Sequence, residues 1–164
     1  MQHVRGIYLK DVCVRNSPAW CLHLVYSDDI TADCVHVHSK YDEDGSKYPH
    51  IHNGDGLNPD SCRNVYIFGC EISSQDDCIA VKSGRDAEGR RVARPSEHIS
   101  ISDCRFGSGF GVAMGSEMSG GVRDVVVRDC TFHNTHSFAS VKAPRKRGGV
   151  IENVLYKNIR HVNE

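Results

Sequence analysis

The sequence predicts an all-β solenoid, a parallel β-helix of about five to six coils, and three observations carry that reading. A ten-residue pattern recurs along the chain: alternating apolar residues, a break at Asp, Asn or Gly, then a second alternating pair. Within each copy the alternation has a period of two, the signature of a strand with one buried face. No stretch of useful length repeats its apolar residues at the helical period, so helices contribute little to the core.

Three copies are clear: Asn64–Ser73, His98–Gly107 and Asp124–His133. Gly6–Arg15, Asp29–His38 and Asn153–Val162 are weaker versions, and successive starts lie 23, 35, 34, 26 and 29 residues apart. A second strand-like run follows the copies, as at Cys78–Gly84, Gly111–Glu117 and Phe138–Pro144. A sandwich or barrel would instead show irregular spacing and hairpin dipeptides. Asn53-Gly54 is the single Asn-Gly pair, and it sits in a polar loop. All-strand repeats of this length suit coils stacked in parallel, each needing neighbours to bury its face.

Length and charge bound the remainder. A chain of 164 residues suffices for one domain, here one β-helix over 1–164, and its net charge of −1 offers no field for nucleic acid or an anionic membrane. No apolar run approaches the ~18 residues of a membrane span. Met1-Gln2-His3 leads straight into a strand-like segment without a secretory leader, so the expectation is an internal piece truncated at both ends relative to a parent protein.

Eight cysteines invite a disulfide or zinc reading, but the nearest pairs, Cys13/Cys21, Cys62/Cys70 and Cys70/Cys78, are each eight apart and fit no zinc motif. Cys34, Cys70, Cys104 and Cys130 are instead expected to hold one repeat position and to stack as a ladder of buried free thiols. Stacked residues have parallel Cβ vectors ~4.8 Å apart, whereas a disulfide needs them to converge.

The densest polar clusters are Asn53–Cys62 and Ser74–Gly84. Asp55 precedes Asp76 by 21 residues, close to one coil, so Asp55, Asp76 and Asp77 should meet on one surface near strand ends, with Asp60 and Lys82 close in sequence. Crowded carboxylates cannot all ionise easily, so one pKa should rise, as general acid/base hydrolysis of a glycosidic bond requires. Carboxylates on loops also suit calcium, and Asp and Asn populate turns for purely local reasons. Spacing alone leaves these three readings open.

Asn53–Cys62 (NGDGLNPDSC), Ser73–Gly84 (SSQDDCIAVKSG), Gly109–Gly121 (GFGVAMGSEMSGG) and Ser140–Val154 (SVKAPRKRGGVIENV) resemble, in order, the signatures of glycoside hydrolase family 28, the polygalacturonases and their relatives. The resemblance covers most of residues 6–164. It implies a right-handed parallel β-helix with an open cleft, a monomer, and a secreted or periplasmic setting. It also implies metal-free, cofactor-free, inverting hydrolysis of galacturonic-acid-containing pectic poly- or oligosaccharide. Asn53-Gly54-Asp55-Gly56 matches the family's Asn-Thr-Asp-Gly, and Asp60, five residues on, is not the equivalent. By that correspondence Asp76 is the general acid, and Asp55 and Asp77 hold and deprotonate the attacking water.

Two positions depart from the family pattern. Gly109-Phe110-Gly111 stands where Gly-His-Gly is usual, and Ser140-Val141-Lys142 where Arg-Ile-Lys is usual. The resemblance makes that Arg and Lys the binders of the uronate carboxylate, and a lysine cannot reproduce a planar bidentate clamp. Lys142, Arg145 and Arg147 are therefore candidate binders with Asn53, although the basic run equally suits a solvated turn. Phe110 either stacks on a sugar or faces the core. Trp20 and Tyr41 are further stacking candidates, and His36/His38 and His50/His52 are expected to line a loop near the cleft. These departures shift the expected substrate from plain homogalacturonan toward rhamnogalacturonan or a modified or terminal galacturonide. A binding or structural β-helix without turnover, and a calcium-dependent polysaccharide lyase, are the alternatives.

Overall fold

The computed structural model describes residues 1–40 and 46–164, a stack of six coils in which every strand pairing is parallel. Each coil opens with a strand of one long wall: β1 (Arg5–Lys10), β4 (Asp28–Asp33), β7 (Arg63–Phe68), β10 (Ser96–Ser102), β13 (Val122–His133) and β15 (Ile151–Val162). The chain then bends into β2 (Cys13–Arg15), β5 (His36–His38), β8 (Glu71–Ser73) or β11 (Arg105–Ser108), while β13 and β15 run through both positions. The third wall is a separate five-stranded sheet, β14-β12-β9-β6-β3, built from β3 (Leu22–Val25), β6 (Leu57–Asp60), β9 (Ile79–Val81), β12 (Val112–Gly115) and β14 (Ala139–Lys142).

Like stacks on like inside the coils. Ile7, Ile30, Val65, Ile99, Val125 and Val154 form one continuous register column, and the middle four are essentially fully buried. Phe106 and Phe132 stack in the same way with ring centroids 4.6 Å apart. Such columns remove apolar area from water only when a neighbouring coil is present, at roughly 25 cal/mol per Å².

The Asp, Asn and Gly punctuation has a backbone cause. The first residue of every copy (Gly6, Asp29, Asn64, His98, Asp124, Asn153) is left-handed, and so is the sixth (Asp11, Cys34, Gly69, Asp103, Asp129, Asn158). Those residue types are the ones that visit this region at least cost. Two such breaks per copy turn the chain around the coil.

The cysteine ladder is corrected at one member. Cys34 occupies the left-handed column, its N–H donating to the Phe68 carbonyl, and is half-buried. Val35 takes the inward place beneath Cys70, whose column continues through Cys104 and Cys130. A one-residue offset moves a side chain to the other face, which is why the apparent Asp-Cys match misled. All eight thiols are free, and Cys70, Cys104 and Cys130 are buried. One helix, α1 (Asp86–Val92), interrupts the solenoid between β9 and β10. It is seven residues long and lies outside the stacked strands. No helix among the described residues is long and apolar enough to cross a membrane.

Candidate active site

The third wall carries the polar cluster. The Gly56 N–H donates to the Asp77 carbonyl at 2.9 Å and the Gln75 N–H to the Gly54 carbonyl at 3.2 Å, which sets Asp55 directly beside Asp77 on the next coil. The predicted meeting of neighbouring coils therefore holds, with Asp77 rather than Asp76 in register with Asp55. Glycine at 56 permits this approach: a Cβ there would lie 2.4 Å from the Cys78 carbonyl oxygen and 2.6 Å from Ile72 Cγ2. Gly109 does the same above Asp76, since a Cβ there would fall 2.4 Å from the Asp76 carbonyl oxygen.

The Asp76-Asp77 turn is fixed by its own hydrogen bonds. Ser74 Oγ and the Phe110 N–H both donate to the Asp76 carbonyl, at 2.7 and 2.9 Å. Asp76 Oδ1 accepts the Asp77 N–H at 2.9 Å, and the residue stays half-buried while Asp55 and Asp77 are each only 2% exposed. Lys142, at the end of β14 two coils on, donates 2.7 Å bonds to both oxygens of Asp77. Asn58 Nδ2 donates to Asp55 Oδ2 at 3.0 Å, and Lys82 Nζ stands 3.5 Å from the same oxygen.

Burial sets the ionisation of this group. It pushes the Asp77 carboxyl up to about 6; Lys142 opposes the shift, and the negative charges of Asp55 and Asp76 reinforce it. Asp55 is raised chiefly by burial too, with Lys82 opposing and Asp76 reinforcing. Burial would also raise Glu117, but Lys82 at 2.8 Å outweighs it and holds that carboxyl below its usual value.

The other candidates separate into groups. Phe110 is 39% exposed and lies parallel to His136, with centroids 4.5 Å apart and planes inclined by 13°. It faces solvent beside Asp76 rather than the core. Ser140 and Lys142, two apart on β14, share a face. Arg147 is tied down: it donates to Asp86 Oδ1 at 2.6 Å and to the Ser116 carbonyl at 2.9 Å, and lies 3.8 Å from Glu117. Arg145 and Asn53 are exposed. Asp60 accepts from the Gly84 N–H at 2.9 Å and meets His23 Nε2 at 3.1 Å, serving the turn after β9. Trp20 is half-buried beneath Lys82, whose Nζ is 4.8 Å from the ring centroid.

His36 and His38 are a correction: they sit on β5, in the wall away from this cluster, because their alternation belongs to a wall strand and not to a cleft loop. His50 and His52 do lie in the loop leading to Asp55 and are exposed. Tyr41 falls outside the described residues. Glu117 carries no signal in the sequence, since its partner Lys82 is 35 residues away. No group of three or more His, Cys, Asp or Glu among the described residues is arranged to hold a metal ion.

The profile of glycosyl hydrolases family 28 matches residues 1–163. A probable polygalacturonase of Vitis vinifera is 34% identical over 97% of this chain and 31% of its own length. Endopolygalacturonase I of Aspergillus niger is 29% identical over 92% of this chain and 37% of its own. Among solved structures, an exopolygalacturonase from Thermotoga maritima superposes with a TM-score of 0.82 at 32% identity, over 94% of this chain and 36% of that one. The family 28 exopolygalacturonase of Yersinia enterocolitica superposes at 0.85 with 20% identity, a likeness of fold, over 96% of this chain and 26% of its own. The chain thus spans about a third of the length of the curated relatives it matches. The fold is the right-handed parallel β-helix of these polygalacturonases.

Proposed function

The chain belongs to glycosyl hydrolases family 28, and on that premise we propose that it hydrolyses O-glycosidic bonds in galacturonic-acid-containing pectic poly- or oligosaccharide, with inversion. The observation that carries the reading is the register of Asp55 against Asp77 with Asp76 beside them on one face. Asp76, the most accessible of the three, protonates the leaving oxygen. Asp55 and Asp77 hold and deprotonate the attacking water, for which a carboxyl near pH 6 is well matched to mildly acidic to neutral conditions. Inversion requires acid and base carboxyls roughly 6.5–9.5 Å apart, so that water fits between them.

Substrate is held around these carboxylates. Lys142 spends two of its three donors on Asp77 and keeps one for a uronate. Phe110 offers a ring face beside Asp76, and Asn53 and Arg145 are exposed and free to meet the chain of sugars. With Ser140 in place of an arginine the carboxylate clamp is weak, so the reading favours rhamnogalacturonan or modified galacturonides over plain homogalacturonan. The test is product analysis on a panel of homogalacturonan and rhamnogalacturonan oligosaccharides. Reducing sugar should appear with no ultraviolet-absorbing unsaturated product and no effect of chelator, and Asp76→Asn should lower kcat by about 10²–10⁴. An unsaturated product would mean a lyase; binding without turnover would mean a recognition module. Unchanged activity in Asp76→Asn would sink the acid assignment.

A further inference from the structure

Lys82 and Glu117 have no part in the hydrolytic reading, yet they form a largely enclosed charge pair beside it. The Lys82 side chain is 5% exposed; its Nζ lies 2.8 Å from Glu117 Oε2 and 3.5 Å from Asp55 Oδ2, and the Trp20 ring covers another side. Glu117 is held in turn by Ser116 Oγ at 3.3 Å and by Arg147 at 3.8 Å, and Arg147 is anchored on Asp86. The result is a line of alternating charge, Asp55–Lys82–Glu117–Arg147–Asp86, running from the proposed active site to the first turn of α1. A buried ammonium is retained only where its charge is answered, and a purely structural pair would need Glu117 alone.

Resting on the hydrolytic reading above, we propose that Lys82 and Glu117 are a positioning pair for Asp55. The contacts of the Asp55 carboxylate with Asn58 and Lys82 both fall on Oδ2, leaving Oδ1 to receive the water proton. Lys82 pulls the Asp55 carboxyl down against its burial and against Asp76, while Glu117 draws part of that positive charge away. Removing either partner should therefore shift Asp55 in opposite directions. The other groups facing Asp55 are Cys21 on the coil before, and Asp76 with the Lys142-bound Asp77 on the coil after; Asp60, further along Asp55's own coil, is paired with His23 of the coil before. None of them is substituted in these variants, and because Lys82 also acts on Asp77 the Asp55 titration is read directly.

The experiment uses the full chain, with two readouts: the acid limb of the kcat/KM–pH profile on galacturonide oligosaccharides, and a carbon-13 NMR titration of the Asp55 carboxyl without substrate. Lys82→Met should move the limb and the titration up by about one pH unit or more. Glu117→Gln should move both down, and Lys82→Arg should restore the wild-type position. Variants that keep the wild-type Asp55 titration, or shift it in the same direction, would overturn the proposal and leave the pair a structural tie, whichever carboxyl sets the limb. Should Lys82→Met fail to fold, the near-isosteric Glu117→Gln still gives the deciding sign. If wild type releases no sugar, the hydrolytic reading fails, while the carboxyl titration still decides whether Lys82 governs Asp55.

Discussion

Asp77 and Lys142 pull on each other in a way that a pH profile can read. Burial raises the Asp77 carboxyl to about 6 even with an ammonium on both of its oxygens. A base must be ionised to take a proton, so activity should fall on the acid side as pH drops through that value. Lys142→Met removes the group that lowers the pKa, so the acid limb should move upward and kcat at pH 5 should fall more steeply than at pH 7.5. Measuring kcat/KM from pH 4 to 8 for both proteins checks this; a limb that stays fixed would mean that Asp77 is not the base. Phe110 and Ser140 belong to the same scale. The ring stands exposed beside Asp76 and the hydroxyl shares a face with Lys142, so both replacements fall where the proposed reading holds a sugar and leave the carboxylates untouched.

At the scale of the element, strands were legible where backbone and side chain say the same thing. Alternation gave the wall strands, and the Asp, Asn and Gly breaks turned out to be left-handed residues at fixed places in each copy. Cys34 and helix α1 escaped for want of a local signal. Cys34 sits beside an aspartate as Cys104 and Cys130 do, but the break in its copy falls on the cysteine itself, so Val35 points inward. Helix α1 is short, contains Gly89 and has no side-chain cap at its start, so nothing periodic announced it. The Lys82–Glu117 contact bridges 35 residues and exists only once β9 and β12 are stacked. Glycine 56 ties this level to the site. Gly56→Ala would press a Cβ against the Cys78 carbonyl and Ile72, forcing β6 and β9 apart. The expected cost is about 1–3 kcal/mol, read as a lower thermal midpoint together with lost activity; a wild-type midpoint would show that the coils yield freely.

Across the whole molecule the site works against the stability of the solenoid that supports it. Columns of Ile, Val, Cys and Phe hold the coils together, while one face of the third wall buries Asp55, Asp77 and Lys82, with the half-buried Glu117 against Lys82. A carboxyl whose pKa is raised by folding binds more protons in the native state than in the unfolded one. Its contribution to stability therefore falls as pH rises from about 4 through about 6. Glu117, lowered by Lys82, acts in the opposite sense and loses its contribution as pH drops through its folded value. Asp77→Asn keeps the shape and removes the buried charge, and it leaves Lys142, which is 34% exposed, free to reach water. The variant should be inactive, and its thermal midpoint should exceed that of the parent at pH 7, by up to about 3 kcal/mol in stability terms. The advantage should shrink toward pH 4, where the native carboxyl is already protonated. Melting curves of both proteins at pH 4, 5.5 and 7 decide the matter: a constant difference across that range would mean that packing, and not the buried charge, separates them. A larger difference at pH 7 would place this face among sites where activity is maintained at the expense of stability.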